Sequence, residues 1–238
     1  MAIVYPEFLP LDVRVDVRRN AERIIYNASS QLDNRFYVFY SRTWRRPLSW
    51  DSNQGSGAIG ECDFVFISAT YGILCVECKG GAVSHSQSGF FSTDKRGRTH
   101  PIKDPYGQAL RSKYHLLRFF RTFHLPIFLG PRGDEYVRHA AFFPESLDTG
   151  WMKGDLSFSR EITGFALDVG FLYEWLDRVF GGTLSTRGLK DIERSTVERI
   201  CDLLSPTSAC QFTLAPTVRE TEDYFHQKLI PTSEQWHL

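Results

Sequence analysis

The sequence predicts an α/β protein, a mixed β-sheet core flanked by helices. One observation behind this is a pair of short β-branched and aromatic runs, residues 64–67 and 73–76, that are apolar at every position, as strands covered on both faces must be. The other is a set of longer stretches on either side whose apolar residues recur at helical spacing. With 238 residues, 42% of them hydrophobic, the chain can bury one sizeable core and carry a small appendage.

In chain order, residues 17–32 read as a helix, with Ala21, Ile24, Ile25, Ala28 and Leu32 on one stripe and Glu22 at its border. Residues 36–40 read as a strand. Residues 41–58, with Trp44, Pro47 and Trp50 and the small neighbours of Gly57, read as a loop at the rim of a groove. Residues 64–67 and 73–76 form an antiparallel pair around the turn Ser68-Ala69-Thr70-Tyr71-Gly72. A further strand is expected at 88–94. Asp104-Pro105 opens a helix over 105–123, an N-cap followed by proline at the first helical position, and this puts Gln108 near the first turn. A strand follows at 136–143. Helices are expected at 169–180, at 189–204, closed by Ser205-Pro206, and at 220–229. The domain division expected is 1–182 for the sheet-bearing part and 183–238 for a helical extension. No internal repeat or low-complexity segment is visible.

The chemistry lies in the parity of the hairpin. Side chains alternate faces along a strand, so Glu61, Asp63, Val65 and Ile67 share one face, as do Cys75, Glu77 and Lys79. If the pair is symmetric about Thr70, Asp63 faces Glu77 and Glu61 faces Lys79, with Cβ atoms roughly 5 Å apart. Two carboxylates that close repel unless a cation lies between them, and oxygen donors plus water suit magnesium or manganese. The competing reading makes these ordinary cross-strand charges, with Glu61 and Lys79 a surface pair worth under about 1 kcal/mol. Against it stands the unbroken apolar character of both strands, which puts the charges at the rim of a covered sheet. Glu22 offers a third carboxylate and Gln108 a group to orient water or phosphate; the plainer alternatives are an edge residue paired with Arg18 or Arg19 and an exposed glutamine.

With 28 basic and 28 acidic residues the net charge is zero, so nucleic-acid binding has to come from local patches. Arg42, Arg45 and Arg46 surround Trp44; Lys95 and Arg96 lie in a polar loop with Arg98; Lys103 and Arg111 lie beside or on the Gln108 helix. Basic groups with an aromatic neighbour hold phosphates and stack a base, although each is equally a solvated surface residue. Five cysteines, an odd number, argue against a disulfide framework. Cys75 and Cys78, three apart on a strand, point to opposite faces and cannot form a zinc pair; Cys62 and Cys78 are expected as buried thiols. No run is long and apolar enough to span a membrane, and 1–10 lack the character of a signal peptide, so a cytoplasmic protein is expected.

These residues carry a resemblance. Ala21-Glu22-Arg23, Val38-Phe39-Tyr40, Gly60-Glu61-Cys62-Asp63-Phe64-Val65, Gly72 to Gly81 with Glu77-Cys78-Lys79, and Ile102 to Ala109 with Asp104-Pro105-Tyr106-Gly107-Gln108 resemble the nuclease-related domain, NERD, of the PD-(D/E)xK nuclease superfamily, over about 15–180. The resemblance implies a restriction-endonuclease-like mixed sheet, a metal-binding pair at Asp63 and Glu77, a catalytic Lys79, a helical acid at Glu22 and an accessory Gln108. Cys62 and Cys78 stand where aliphatic residues are usual. The segment Leu229 to Leu238 is similar to the Leu-Thr-x-x-Gln opening of superfamily 1 helicases, which implies a helicase region or subunit as partner.

Three function classes follow. The first is a magnesium- or manganese-dependent nuclease acting on DNA, with RNA as the other polymer, as a monomer or a homodimer. The second is a nucleic-acid-binding module of the same fold with little cleavage. The third is a docking domain, which exposed apolar surface near Trp175 and Phe180 would favour.

Overall fold

The computed structural model describes residues 1–45, 59–148 and 159–205; of Arg45 and Ile59 it describes the backbone alone. The segments 46–58 and 206–238, with Arg46, the expected helix at 220–229 and the helicase-like segment, lie outside the described residues. Met1–Ile200 forms one compact unit and Cys201–Leu238 a second; the sheets, the helices up to Phe180 and the candidate site belong to the first.

In chain order the elements are β1 (Ile3–Tyr5), α1 (Leu11–Val15), α2 (Asn20–Ser29), β2 (Tyr37–Arg45), β3 (Ile59–Ser68), β4 (Gly72–Cys78), β5 (Ala82–Ser86), β6 (Gly89–Thr93), β7 (Thr99–Ile102), α3 (Pro105–Thr122), α4 (Pro126–Leu129), β8 (Val137–Phe143), β9 (Thr163–Phe165), α5 (Leu172–Phe180) and α6 (Arg194–Leu204). One sheet has six strands in the order β1-β2-β3-β4-β8-β9; β5, β6 and β7 form a separate antiparallel sheet. In the large sheet β3 runs antiparallel to both of its neighbours, β2 and β4, whereas β1 lies parallel to β2, β8 to β4 and β9 to β8. The expected mixed sheet flanked by helices is what forms.

The hairpin register is the expected one. Phe64 pairs with Val76, Val65 with Cys75, Phe66 with Leu74 and Ile67 with Ile73, centred on Thr70. All eight of these side chains are fully buried. Phe64, Phe66, Leu74 and Val76 face the cluster made with Ala21 and Ile25 of α2 and Trp175, Leu176 and Phe180 of α5. Trp175 meets Phe142 edge-on, ring centres 4.6 Å apart. Trp175 and Phe180 are thus core and offer no docking surface. On the other face α3 crosses β3, β4 and β8, and Tyr106 packs with Ala141, Phe143 and Phe90 of the small sheet.

Two expectations are corrected. Residues 41–45 continue β2 and do not start a loop: Arg42, Thr43 and Trp44 pair with Cys62, Glu61 and Gly60. The polar look of Ser41-Arg42-Thr43 concealed a strand whose anchor is Trp44, 5% exposed. The helix expected at 189–204 begins at Arg194, five residues later. Before it the backbone is claimed by the β3–β4 turn, where Leu184 N–H donates to Thr70 O at 2.7 Å and Ile192 N–H to Ala69 O at 2.8 Å.

Candidate active site

Asp63, Glu77 and Lys79 stand where the central hairpin runs out. The β3–β4 ladder ends at Phe64–Val76. Beyond it the Asp63 side chain takes over, its Oδ2 accepting the Cys78 N–H at 2.8 Å. On the other side of Asp63 the β2–β3 ladder passes from Tyr40–Phe64 to Arg42–Cys62 and skips Ser41, whose φ is +48°. Left-handed backbone at a non-glycine residue is held only where the surroundings enforce it, and such positions gather at functional sites. Glu77 stays in the β4–β8 ladder opposite Ala141. It is 6% exposed, although ionised glutamates are seldom buried without a partner. That partner is Lys79, with Nζ 2.5 Å from Oε1. The expected Glu61–Lys79 pairing is therefore replaced by one within the strand, and the Lys79 N–H goes to Phe142 O at 3.0 Å.

These groups open onto a cleft of about 460 Å³ whose far wall is α3. Its lining holds Asp63, Glu77, Lys79 and Gln108, with Lys103 and Arg111 at one side. As expected, Asp104 caps α3, accepting the Tyr106 N–H at 3.0 Å, with Pro105 in the first position. The Gln108 Oε1 is buried and has no hydrogen-bond partner. Burial pushes the Asp63 carboxyl up to about 7, the charge of Glu77 adds to the shift, and the Cys78 N–H and Lys79 oppose it.

Glu22 lies in the first turn of α2, on the other side of the sheet, and is already occupied. Arg19 Nη2 donates to its Oε2 at 2.8 Å, and the Tyr40 hydroxyl donates to the same oxygen. Burial, then the bond to Glu22, raises the Tyr40 hydroxyl well above its ordinary range. Glu22 is near enough for its charge to act on Asp63 but does not line the cleft. Among the described residues no group of three or more His, Cys, Asp or Glu side chains is arranged to hold a metal ion. The donor set itself suits a hard divalent cation: two carboxylates side by side, one resisting ionisation, with an unsatisfied amide oxygen across the cleft. Asp63 and Glu77 would hold it.

The basic residues separate. Lys103 and Arg111 line the cleft. Lys95 and Arg96 sit exposed in the β6–β7 turn. Arg42 is not an outreaching arm, because it is half-buried over the Phe39 ring, 5.7 Å from its centre. The Arg45 side chain and Arg46 lie outside the described residues. Cys62, Cys75 and Cys78 are free buried thiols, and burial pushes Cys62 and Cys78 well up. Ser112 and His115 also line the cleft and were not foreseen. Ser112 Oγ donates to Glu61 O, which fastens α3 to β3. Their spacing from Gln108 was the available signal, since 108, 111, 112 and 115 fall on one helix face.

A mixed sheet covered by helices on both faces, with an acid pair and a lysine at one strand end, defines a nuclease-like α/β protein. The model of one family, the nuclease-related domain (NERD), matches residues 18–144, just over half of the chain, and the protein belongs to that family. No curated protein and no solved structure matches it.

Proposed function

We propose that this protein is a divalent-metal-dependent phosphodiesterase that hydrolyses nucleic acid, foremost DNA, at the cleft between β3, β4 and α3. One observation carries the reading: Asp63, Glu77, Lys79 and Gln108, spread over 46 positions of the chain, line a single cleft with Lys103 and Arg111 beside them. Asp63 and Glu77 would hold Mg²⁺ or Mn²⁺, with Glu22 joining only on leaving Arg19 and Tyr40. The ion when bound supplies polarisation of the scissile phosphate and a lower pKa for the attacking water. Lys79 donates to the water or to the phosphate oxygens and offsets the negative charge that grows on phosphorus. Gln108, with its unsatisfied Oε1, accepts a hydrogen bond from the water and so aims it. Lys103 and Arg111 hold neighbouring phosphates. No covalent enzyme intermediate is involved. Cutting both strands of a duplex would take two copies of the site, hence a homodimer; nicking takes one.

A second reading, a nucleic-acid-binding module with little cleavage of its own that acts with a helicase, is favoured by the engagement of Glu22 elsewhere. The test is to incubate the protein with supercoiled, linear duplex and single-stranded DNA, and with RNA, in Mg²⁺ or Mn²⁺, with EDTA and Glu77→Ala as controls. Cleavage lost in both controls is the expected result. Salt-sensitive binding without cleavage would instead select the second reading.

A further inference from the structure

Just after β8, outside the cleft, Glu145 joins the start of α2 to the segment that follows Lys79. Its side chain is 18% exposed. Its Oε1 accepts from Asn20 Nδ2 at 2.6 Å, at the start of α2, and its Oε2 accepts from the Gly81 N–H at 2.9 Å. Lys95 Nζ lies 3.9 Å from Oε1. The next residue continues the grip on the same segment: Ser146 Oγ donates to Gly81 O at 2.9 Å and accepts the Val83 N–H at 2.8 Å. With the Lys79 N–H on Phe142 O, the backbone from 79 to 83 is fastened to 142–146 at four points.

The contact between α2 and this segment is close. A Cβ on Gly80 would stand 3.0 Å from Glu145 Oε2 and 3.3 Å from the Cβ of Ala21, so a larger residue there would push these neighbours back by a few tenths of an ångström. Lys79 lies two residues before Gly81, and Glu22 two residues after Asn20. A single carboxylate therefore fixes the distance between the helix turn bearing Glu22 and the strand end bearing Lys79, with one oxygen committed to each side. We propose that Glu145 is a positioning residue that locks the first turn of α2 to the Lys79 strand end through Asn20 and Gly81. It touches no substrate. The inference rests on the nuclease reading insofar as Glu22 and Lys79 serve the site; the mechanical link stands on the bonds alone.

The polarity of the link gives the test. Asn20→Asp sets a carboxylate against the Glu145 carboxylate. Glu145→Gln turns an amide NH₂ toward either Asn20 Nδ2 or the Gly81 N–H, since one amide oxygen cannot accept from both sides. The double variant restores both hydrogen bonds with the charge moved across: the new amide accepts from Gly81 N–H and donates to the new carboxylate. Four readouts are taken on the full chain: Mn²⁺ affinity by calorimetry, kcat for DNA cleavage, Tm, and amide exchange by mass spectrometry over 20–24 and 79–83. Each single variant is expected to weaken Mn²⁺ binding about 10- to 100-fold, in line with other residues that orient metal-binding groups. It is also expected to lower kcat and quicken exchange in both segments, and the double variant to recover all three. Single variants that lose Tm while keeping Mn²⁺ affinity and kcat would overturn the proposal, as would a double variant no better than the worse single. If the wild-type protein neither binds Mn²⁺ nor cleaves, the nuclease reading fails by itself; exchange that quickens in both segments and recovers in the double variant then still upholds the link, and exchange that stays unchanged overturns it.

Discussion

Lys79 reaches back two residues to Glu77 and is its ion-pair partner among the described residues, so the two charges are conditional on each other. A carboxylate buried without its cation is costly, whereas the lysine, partly open to the cleft, is free to turn toward a bound phosphate. Lys79→Ala is therefore expected to lower kcat about 100- to 1,000-fold while the protein stays folded, as removal of one aimed donor does elsewhere. Single-turnover cleavage alongside far-ultraviolet circular dichroism checks this, and unchanged turnover would remove Lys79 from the mechanism. Lys79→Arg should fail as well, because a planar fork does not replace a compact ammonium at a site shaped for one.

The elements show why some of the site was legible in sequence and some was not. A side-chain period of two, on strands apolar on both faces, fixed where Asp63, Glu77 and Lys79 point, and the Asp104-Pro105 start fixed Gln108. Neither needed long-range information. The Tyr40 half of the hold on Glu22 did, since Tyr40 lies 18 residues away on β2, whereas the Arg19 half, three residues away, was among the readings the sequence offered. The length of β2 was hidden for a related reason: Ser41-Arg42-Thr43 has no apolar alternation, and the strand persists because Trp44 closes over Gly60, its cross-strand partner. A Cβ on Gly60 would fall 2.2 Å from the indole Nε1. Gly60→Ala should thus cost about 1–3 kcal/mol of stability by overpacking, read from denaturant unfolding, and should loosen the cleft wall that Gly60 lines. A midpoint equal to that of the wild type would mean that the indole has room to move.

At the scale of the whole molecule, two half-buried groups, Asp63 and His139, oppose each other in the pH dependence of stability. The Asp63 carboxyl, ordinarily near 3.8, is pushed up to about 7 by burial and by Glu77, so the folded protein without metal holds a proton that the unfolded chain releases. Its contribution is fully present below 3.8 and is lost as pH rises to about 7. His139, ordinarily at 6.5, is lowered to about 4 by burial, then by the charges of Lys113 and Arg138. There the unfolded chain binds the proton more readily, and stability is lost as pH falls from 6.5 to about 4. Between those limits the two slopes have opposite signs and offset each other. Calorimetric Tm in EDTA should accordingly climb with pH in Asp63→Asn, where only the histidine remains, and fall with pH in His139→Gln, where only the carboxyl remains. Near neutral pH Asp63→Asn should also be more stable than the wild type without metal, and Mn²⁺ should raise the Tm of the wild type but not of the variant. Tm profiles for both variants that run parallel to the wild type would show that neither group carries the pH dependence.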